Sequence, residues 1–449
     1  MYILEGAARG GGTFLDRRSN VPLLVSAVKS ACCFAKSINF DHTVGMTIFT
    51  KIRYRLQQRV LHLFSYVMPW RTPDLLAGPG AVQELPAYIA AKGGKRVLLI
   101  SDPGMKQLAL YDGFVAQCEK EGLDCSVYAE TKPDPTIEIV EAAVEQYYQN
   151  DCDCIVAFGG GSPMDCAKAA AARISRPKKQ LARLGGLLKV RRRKLPLYAV
   201  PTTAGTGSEV TVAAVITDAA AKRKYAINDF CLIPDAAVLD PQLLVGLPPQ
   251  LTAATGMDAL CHAVEAYLNH SNTKATRQQA RDAVVLINKN LLASFEDGKN
   301  LDYRNNMQLA SFRAGQAFTR AYVGNIHAIA HTLGGFYHVP HGLANAVTMP
   351  IVLEYYGKAA WKRLAELADL IGLEAVGVAD SGEADADSAQ AKAQAFINWI
   401  RELNSKMGIP SSFDCIQKDD IPAMASNALR EANPGYPVPR ILSRADMYC

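Results

Sequence analysis

The sequence predicts an α/β domain with a mostly parallel sheet, followed by an all-helical domain. Short apolar segments alternate with stretches of helical periodicity, and they predict strands at residues 96–101, 124–129, 154–158 and 197–201. After Pro248 and Pro249 the strand pattern stops, and helical periodicity follows at residues 254–268, 277–294 and 307–318. We therefore expect an N-terminal extension at residues 1–69, an α/β domain at 70–245 and a helical domain at 246–449.

The composition is that of an ordinary globular protein. The 449 residues are 49% hydrophobic and 20% charged, and their length suits two packed domains rather than one core. The net charge of +5 comes largely from residues 173–194, where ten Lys and Arg occur without an acidic residue. We interpret this basic segment as a solvated connection rather than an anion site, so no nucleic-acid partner is expected.

Cysteine usage and apolar run length indicate where the chain works. The eleven cysteines show no CxxC spacing, which favours reduced thiols in a reducing compartment, and we expect a cytoplasmic protein. Lys29 and Lys36 interrupt the longest apolar run, so no membrane span is predicted.

The N-terminal extension has two candidate features. Residues 1–45 are weakly basic, as in a transit peptide, although Met46 is an equally good start for the chain. Residues 47–68 place Lys and Arg among aromatic and aliphatic residues at helical spacing. Such an amphipathic helix suits a membrane surface, but we favour a helix packed on its own protein, so that peripheral membrane contact is the lesser expectation.

A strand, a glycine loop and a helix start follow one another at residues 154–174. The apolar strand leads into Gly159, Gly160, Gly161 and Ser162, and Pro163 then suits the first turn of a helix. Glycines let backbone N–H groups approach an anion, and a helix N-terminus favours negative charge. These parts can hold a diphosphate, although the segment is neither GxGxxG nor a Walker A loop.

A second polar loop follows the strand at residues 197–201. The segment PTTAGTGSEVT offers several hydroxyl groups on a flexible backbone, from Thr202, Thr203, Thr206 and Ser208. Taken alone, it indicates only that a polar ligand approaches the backbone here, and a loop without a ligand is the alternative.

Histidines are concentrated in the helical region. Six of the eight lie between residues 262 and 341. Asp258 and His262 are four residues apart on one predicted helix, and His327 and His331 repeat that spacing on another, so each pair shares a helix face. With His341, they form a carboxylate and imidazole set that suits Fe(II) or Zn(II). The spacing does not select three imidazoles from these four histidines.

Four motifs in order resemble a known family. The segments GGGSPMDCAK, PTTAGTGSEVT, TGMDALCHAVEAY and HAIAHTLGGFYHVPHGLANA are similar to the successive signatures of the iron-containing (group III) alcohol dehydrogenases. The resemblance covers roughly residues 70–445, and it does not extend to residues 1–69 or to the C-terminal end. It implies a Rossmann-like cofactor domain, a helical metal-binding domain and an active site between them, the architecture of dehydroquinate synthase.

The resemblance also implies roles for individual residues. The metal ligands would be Asp258, His262, His327 and His341, whereas His331 would be a catalytic residue that relays the substrate proton. Asp102 follows a predicted strand at the position where the family often carries an acid near the adenosine ribose. The residues implied in cofactor binding are Asp102, Gly159, Gly160, Gly161, Ser162, Asp165, Thr202, Thr203 and Thr206.

These assignments predict hydride transfer between an alcohol and its aldehyde or ketone, with the metal as a Lewis acid. We expect Fe(2+), with Zn(2+) as an alternative, and NAD rather than NADP, because Asp102 would repel a 2′-phosphate. The partners expected are a small alcohol or aldehyde and further copies of the chain. Two alternative functions are a hydroxyacid-oxoacid transhydrogenase of the same superfamily and a membrane-surface protein acting through residues 47–68.

Overall fold

The computed structural model describes residues 48–66, 68–193, 195–220, 223–374 and 386–448. The expectations for residues 1–45 therefore lie outside the described residues. Within the described ranges, no helix is long and apolar enough to cross a membrane.

The strands form two sheets, and their bounds are as follows: β1 Asp74–Ala77, β2 Arg96–Ile100, β3 Asp124–Tyr128, β4 Cys154–Gly159, β5 Gly186–Leu187, β6 Leu197–Pro201, β7 Ala213–Asp218, β8 Arg223–Asn228 and β9 Ala236–Leu239. Six of them form a parallel sheet in the order β1-β9-β6-β4-β2-β3. Every residue of β4, β6 and β9 is buried. Since helices cover both faces of a parallel sheet, its inner strands are apolar throughout, and this explains the continuous apolar runs in the sequence.

The second sheet was not predicted. It has three strands in the order β5-β8-β7, with β7 and β8 antiparallel. The alternation that marks a strand is hidden in β7, because its exposed Val215 is as apolar as its buried neighbours Ala214 and Ile216.

The helices alternate with the strands up to β6 and dominate the chain after β9. Their bounds are as follows: α1 Ile48–Ser65, α2 Leu85–Ala91, α3 Pro103–Gln107, α4 Asp112–Lys120, α5 Ile137–Gln149, α6 Gly161–Ser175, α7 Pro249–Leu268, α8 Lys274–Glu296, α9 Leu301–Ala321, α10 Asn325–Tyr337, α11 His341–Tyr356, α12 Trp361–Leu370, α13 Ala386–Lys406 and α14 Ile421–Ala432. The predicted fold class, a parallel α/β part followed by a mostly helical part, is confirmed.

Helix α7 lies at the centre of the helical part. It packs against α8, α9 and α11, and its residues from Gly256 to its end at Leu268 are all buried. A helix that is apolar on every side is buried on every side. The few charged or polar side chains in this stretch, Asp258, His262 and Glu265, are consequently held inside the protein.

The fold brings several loops to one edge of the parallel sheet. The register pairs Ile100 at the end of β2 with Ala157 of β4, and Gly159 of β4 with Pro201 at the end of β6. The segments after these three strands therefore leave the sheet side by side. In parallel α/β sheets, this carboxyl edge is where ligands bind.

Helix α1 packs on the protein through one face. Tyr54 is buried against Val438 and Ile441, near the C-terminal end of the chain. Arg55 donates hydrogen bonds to the carbonyl groups of Val438 and Pro439, at 2.6 and 2.9 Å. The expected packing of this helix on its own chain is therefore present, on this face.

Candidate metal and cofactor site

One aspartate and two histidines from three different helices meet inside the helical part. Asp258 lies on α7, His327 on α10, and His341 is the first residue of α11. One ligand atom of each lies within 4.8 Å of the others. The Nε2 atoms of His327 and His341 are 3.7 and 3.5 Å from Asp258 Oδ1. This carboxylate and imidazole set could hold Fe(II) or Zn(II).

His262 lies beside these three residues. Its Nδ1 is 3.9 Å from Asp258 Oδ1, and its ring stacks on Phe318 with 4.1 Å between centroids. The structure thus brings together all four predicted ligands, with His262 slightly farther from the carboxylate than the other two. Among the described residues, neither His262 Nδ1 nor His327 Nε2 has a hydrogen-bond partner, although both are buried. Because such atoms are costly to bury alone, the residues fit a bound metal ion.

The electrostatics of the cluster also suit a cation. Burial opposes the ionisation of Asp258, but attraction to His262, His341 and His327 outweighs it and holds the pKa of this carboxyl well below its usual range. Burial lowers the pKa of His262 and of His341 to about 3. At neutral pH the carboxylate is therefore charged and these two imidazoles are neutral, which is the state that metal coordination requires.

Glu265 orients His327, and the sequence analysis missed it. Its carboxylate accepts hydrogen bonds from His327 Nδ1 at 2.6 Å and from the N–H groups of Gly324 and Ile326 at 2.6 and 2.8 Å. A histidine whose Nδ1 donates to a carboxylate presents Nε2 to a metal. Burial opposes the charged form of His327, but Cys261, Asp258 and Glu265 together raise its pKa well above the ordinary value. A bound cation would take the place of that proton.

His341 is positioned by its own helix. The neighbouring Gly342 faces α7 so closely that a Cβ there would lie 2.2 Å from the carbonyl oxygen of Ala254. One turn later, Asn345 donates to Asp258 Oδ1 at 2.8 Å and lies 3.2 Å from His341 Nε2. The small residue permits the close approach of the two helices, and the amide fixes the distance between carboxylate and imidazole.

His331 differs from the buried His262 and His327 in its exposure, which is close to the 38% of the His341 side chain. Its side chain is 42% exposed, and its ring stacks on His341 with 4.9 Å between centroids. Its Nδ1 lies 2.6 Å from Glu431 Oε1, and Tyr436 donates to the same oxygen at 2.9 Å. With Nδ1 bound to a carboxylate, Nε2 is the nitrogen left to exchange a proton. Glu431 is a second residue that the sequence analysis did not single out.

The glycine loop lies where β4 ends and α6 begins. Gly159 has φ 143°, and a Cβ there would lie 2.7 Å from Pro163 and 3.1 Å from Asp102 Oδ2. Helix α6 begins at Gly161, and its N-cap residue Gly160 provides no side chain to cap the first N–H groups. This uncapped helix start, with partly exposed Gly160, Gly161 and Ser162, retains the features expected of a diphosphate site.

Asp102 caps helix α3 with one oxygen. Its Oδ1 accepts from the N–H groups of Gly104 and Met105, at 2.9 and 3.1 Å. Its Oδ2 is the oxygen beside Gly159. The residue therefore combines a helix cap with a carboxylate oxygen at the glycine loop.

The threonines of the second loop differ in position. Thr203 and Thr206 are partly exposed, and their side chains lie beside Gly160 and Gly161. Thr202 is buried, and its Oγ1 has no hydrogen-bond partner in the described part of the chain. The structure thus brings the two loops into contact, with Thr203 and Thr206 at the glycine loop.

Asp165 belongs to a polar cluster beneath the glycine loop. Burial raises its pKa to about 7, and Lys168 partly offsets that effect. Lys168 is buried and donates to Ser208 Oγ at 3.1 Å and to the carbonyl groups of Thr211 and Ala213 at 2.9 and 3.0 Å. Lys168 therefore connects α6 to the second loop and to β7, a role that the sequence analysis did not foresee.

The second loop also contacts the metal cluster. A Cβ on Gly205 would lie 2.7 Å from Cβ of Thr255 on α7, so loop and helix are in close contact. The backbone of Gly205 also faces His262, which lies on α7 like Thr255. This contact favours the charged form of His262, but the effect of burial is stronger and lowers the pKa of His262. The proposed cofactor loop and the proposed metal ligands are consequently adjacent.

Comparisons with known proteins identify the family of the chain. A family model described as iron-containing alcohol dehydrogenase matches residues 72–241, and a model of the C-terminal part of the same family matches residues 252–448. The chain belongs to the iron-containing alcohol dehydrogenase family. The predictions of the family and of an alcohol oxidoreductase are confirmed by this membership.

Similar proteins cover most of the chain. It is 36% identical to alcohol dehydrogenase 4 of Saccharomyces cerevisiae (strain YJM789), over 80% of this chain and 91% of that protein. It is 35% identical to the NAD-dependent methanol dehydrogenase of Bacillus methanolicus, over 80% of this chain and 92% of that protein. The crystal structure of a 1,3-propanediol oxidoreductase has a TM-score of 0.79 and 34% identity, and the match covers 84% of this chain and 97% of that one.

The metal ligands can be tested by substitution. We expect His341→Ala and His262→Ala to lose bound metal and activity together, because each removes a nitrogen from the cluster around Asp258. His331→Ala is the matched control, and it should keep its metal while turnover falls by about 100-fold. Metal content by mass spectrometry, with circular dichroism to verify folding, measures the difference.

Two results would contradict these assignments. Full activity in a metal-depleted His341→Ala protein would exclude the proposed site. Metal loss in His331→Ala as complete as in His327→Ala would mean that the roles of these two histidines are reversed.

Proposed function

We propose that this enzyme transfers hydride between a short primary alcohol and a nicotinamide cofactor, at a metal held by Asp258, His262, His327 and His341. The observation that carries the proposal is the cluster in which three imidazole nitrogens lie 3.5 to 3.9 Å from one oxygen of the buried Asp258 carboxylate. The family membership favours Fe(2+) as the metal, and Zn(2+) is compatible with the same ligands.

A metal held by these four residues would act as a Lewis acid and make the alcohol hydroxyl more acidic. His331 then takes up the substrate proton through Nε2, since its Nδ1 is bound to Glu431. Glu431 stabilises the positive charge that forms on the ring, and attraction to His331 holds the pKa of this carboxyl low against the effect of burial. The partial exposure of His331 lets the proton pass on to solvent.

The proposed cofactor position follows from the sheet edge. Gly159, Gly160, Gly161 and Ser162, with the start of α6, would bind the diphosphate. Thr203 and Thr206 lie against that loop, and the N–H group of Thr202 donates to the carbonyl of Gly159 at 3.0 Å. We also assign Asp165, in the first turns of α6, to this cofactor site. The second loop continues to Gly205 beside His262, and this continuity supports a nicotinamide that reaches the metal cluster.

The substrate class is proposed from relatives. Proteins at 35 to 36% identity are named for methanol, 1,3-propanediol and butanol, all small primary alcohols.

The eight described cysteines are free, as expected for an enzyme of a reducing compartment such as the cytoplasm.

The experiment that tests this function is metal removal and replacement. The purified enzyme should reduce NAD with a short primary alcohol, lose this activity when the metal is chelated, and recover it with Fe(II) or Zn(II). The proposed function requires that NADH form continuously when the alcohol and NAD are the only substrates supplied. If the enzyme oxidises the alcohol only when an oxo acid is also present, and releases no free NADH, its activity is that of a transhydrogenase and not of a dehydrogenase.

The proton path can be tested at Glu431. Glu431→Gln keeps the size of the side chain and removes the charge that stabilises protonated His331, so kcat should fall by about tenfold or more. Metal content and KM should change little, because Glu431 is not a proposed ligand. Tyr436→Phe is the matched control, since it removes a hydrogen bond to Glu431 but leaves its charge, and it should have a smaller effect. A Glu431→Gln enzyme with wild-type kcat would exclude Glu431 from the path.

The choice of cofactor rests on Asp102. The curated relatives include an NAD-dependent methanol dehydrogenase and an NADPH-dependent butanol dehydrogenase, so family membership leaves the choice open. Asp102 Oδ2 lies at the glycine loop, while Oδ1 is engaged in the cap of α3. A carboxylate there accepts hydrogen bonds from the ribose of NAD and repels the 2′-phosphate of NADP. Two arginines of the basic segment, Arg173 and Arg193, pair with Glu141 and Asp235.

Substitution at Asp102 separates the charge from the cap. Asp102→Asn retains an oxygen that can cap α3, so we expect a folded enzyme whose kcat/KM ratio for NADPH over NADH rises about tenfold or more. Asp102→Gly should relax the preference as well, but with lower stability, because the cap is lost. An unchanged ratio in both variants would mean that Asp102 does not face the ribose.

A further inference from the structure

Helix α1 is an addition to the part of the chain that the family shares. The two family models begin at residue 72 and end at residue 448, so residues 48–65 precede them. The structure nevertheless fixes this helix firmly on its inner face, where Gln58 donates to the carbonyl groups of Pro434 and Tyr436 at 3.0 and 2.8 Å. A helix held in this way presents a defined outer face.

That outer face is apolar. Among the described residues, fourteen large hydrophobic side chains are exposed, and six of them lie within residues 48–66: Ile48, Phe49, Ile52, Leu56, Leu63 and Tyr66. Phe49 is 80% exposed and Leu63 is 68% exposed. At 100° per residue, the five side chains within α1 fall within about 100° of the helix surface, on the side away from Tyr54 and Gln58, and Tyr66 directly follows the last residue of the helix. We call these six residues the outer stripe.

From Ile48 to Leu63, the helical part of the outer stripe is about 22 Å long at 1.5 Å per residue. An exposed apolar patch of this size on a folded protein marks an interaction surface rather than the ordinary scatter of surface hydrophobic residues. Its chemistry indicates what binds there.

The charged residues of the segment that carries the outer stripe are all positive. Lys51, Arg53 and Arg59 are exposed, and no acidic residue occurs between positions 47 and 68. Arg59 lies within the angular range of the stripe itself. A further positive charge lies close to α1, on Arg363 of α12. Together with Arg55 and Arg59 of α1, it repels the charged form of His270, and this repulsion adds to the effect of burial in lowering the pKa of His270.

This charge pattern disfavours the other occupants. Two copies of α1 packed through the outer stripe would bring their Arg59 side chains into one apolar interface without a counter-charge. The N-terminal segment offers no complementary charge either, since residues 1–47 carry five Lys and Arg against three acidic residues. An anionic lipid surface provides both an apolar layer for the stripe and negative charge for the basic residues.

We propose that the outer stripe of α1 binds the enzyme to the surface of an anionic membrane. The helix lies flat, with Phe49, Ile52 and Leu63 in the layer between headgroups and acyl chains, and Arg53 and Arg59 at the lipid phosphates. The inner face stays on the protein, so binding requires no unfolding of the helix. The enzyme is then a peripheral membrane protein, independently of which alcohol it uses.

Vesicle flotation of the full chain tests this proposal. The probes are vesicles of phosphatidylcholine alone and of phosphatidylcholine with phosphatidylserine in a ratio of about 7 to 3. We expect wild-type protein to float with the anionic vesicles only, and high salt to reduce the bound fraction. The triple variant Phe49→Ser, Ile52→Ser, Leu63→Ser should bind at least about tenfold more weakly. Arg53→Gln with Arg59→Gln should also bind about tenfold more weakly.

Leu108→Ser is the matched control, because Leu108 is 62% exposed outside α1 and should float like the wild type. Alcohol oxidation in the triple variant should match the wild type, which shows that the variant is folded and separates this test from that of the proposed function. Equal flotation with both kinds of vesicle would overturn the role of charge. If the wild type does not float and instead forms a dimer that the triple variant abolishes, the outer stripe mediates self-association and the proposal is overturned.

Discussion

The burial of one carboxylate, that of Asp258, determines the arrangement of the helical part. Asp258 lies in a helix whose apolar residues require that it be buried on all sides, and an isolated charge there would be strongly unfavourable. The compensation comes from two other helices, through His327 of α10 and through His341 and Asn345 of α11. Helices α10 and α11 are therefore held against α7 by polar contacts as well as by apolar packing, and the same contacts create the candidate metal site.

A second constraint links this cluster to the parallel sheet. The loops after β2, β4 and β6 emerge together because the strands are parallel and in register. The loop after β6 then has to pass between the glycine loop and α7, and it does so with Gly205 where α7 comes closest. Lys168 fixes the far end of the same loop from within α6. The two halves of the site are thus joined by one short segment, whose small residues and hydroxyl groups are explained by its position.

Local sequence patterns predicted much of this structure, but contacts between residues far apart in the sequence were not predicted. The i, i+4 spacing placed Asp258 and His262 on one helix face, and continuous apolar runs identified the central strands. Glu265 continues the first pattern at i+7, so its contribution was readable in the sequence as a third polar residue on that face. Glu431 was not readable, because it meets His331 from 100 residues away on α14. The sequence also could not predict which face of α1 is buried and which is exposed. The pattern of residues 47–68 does not indicate which of its apolar residues are covered by the C-terminal segment.

His327 and His331 show why spacing alone could not assign roles. They lie one turn apart on α10, and each binds a carboxylate through Nδ1 at 2.6 Å, His327 with Glu265 and His331 with Glu431. Their surroundings differ, however, because His327 is 2% exposed, whereas the side chain of His331 is 42% exposed. A buried imidazole with its Nε2 beside Asp258 is suited to a fixed ligand, since a bound cation can take the place of its proton there. An exposed imidazole backed by a carboxylate can gain and lose a proton, which is what the proposed relay requires.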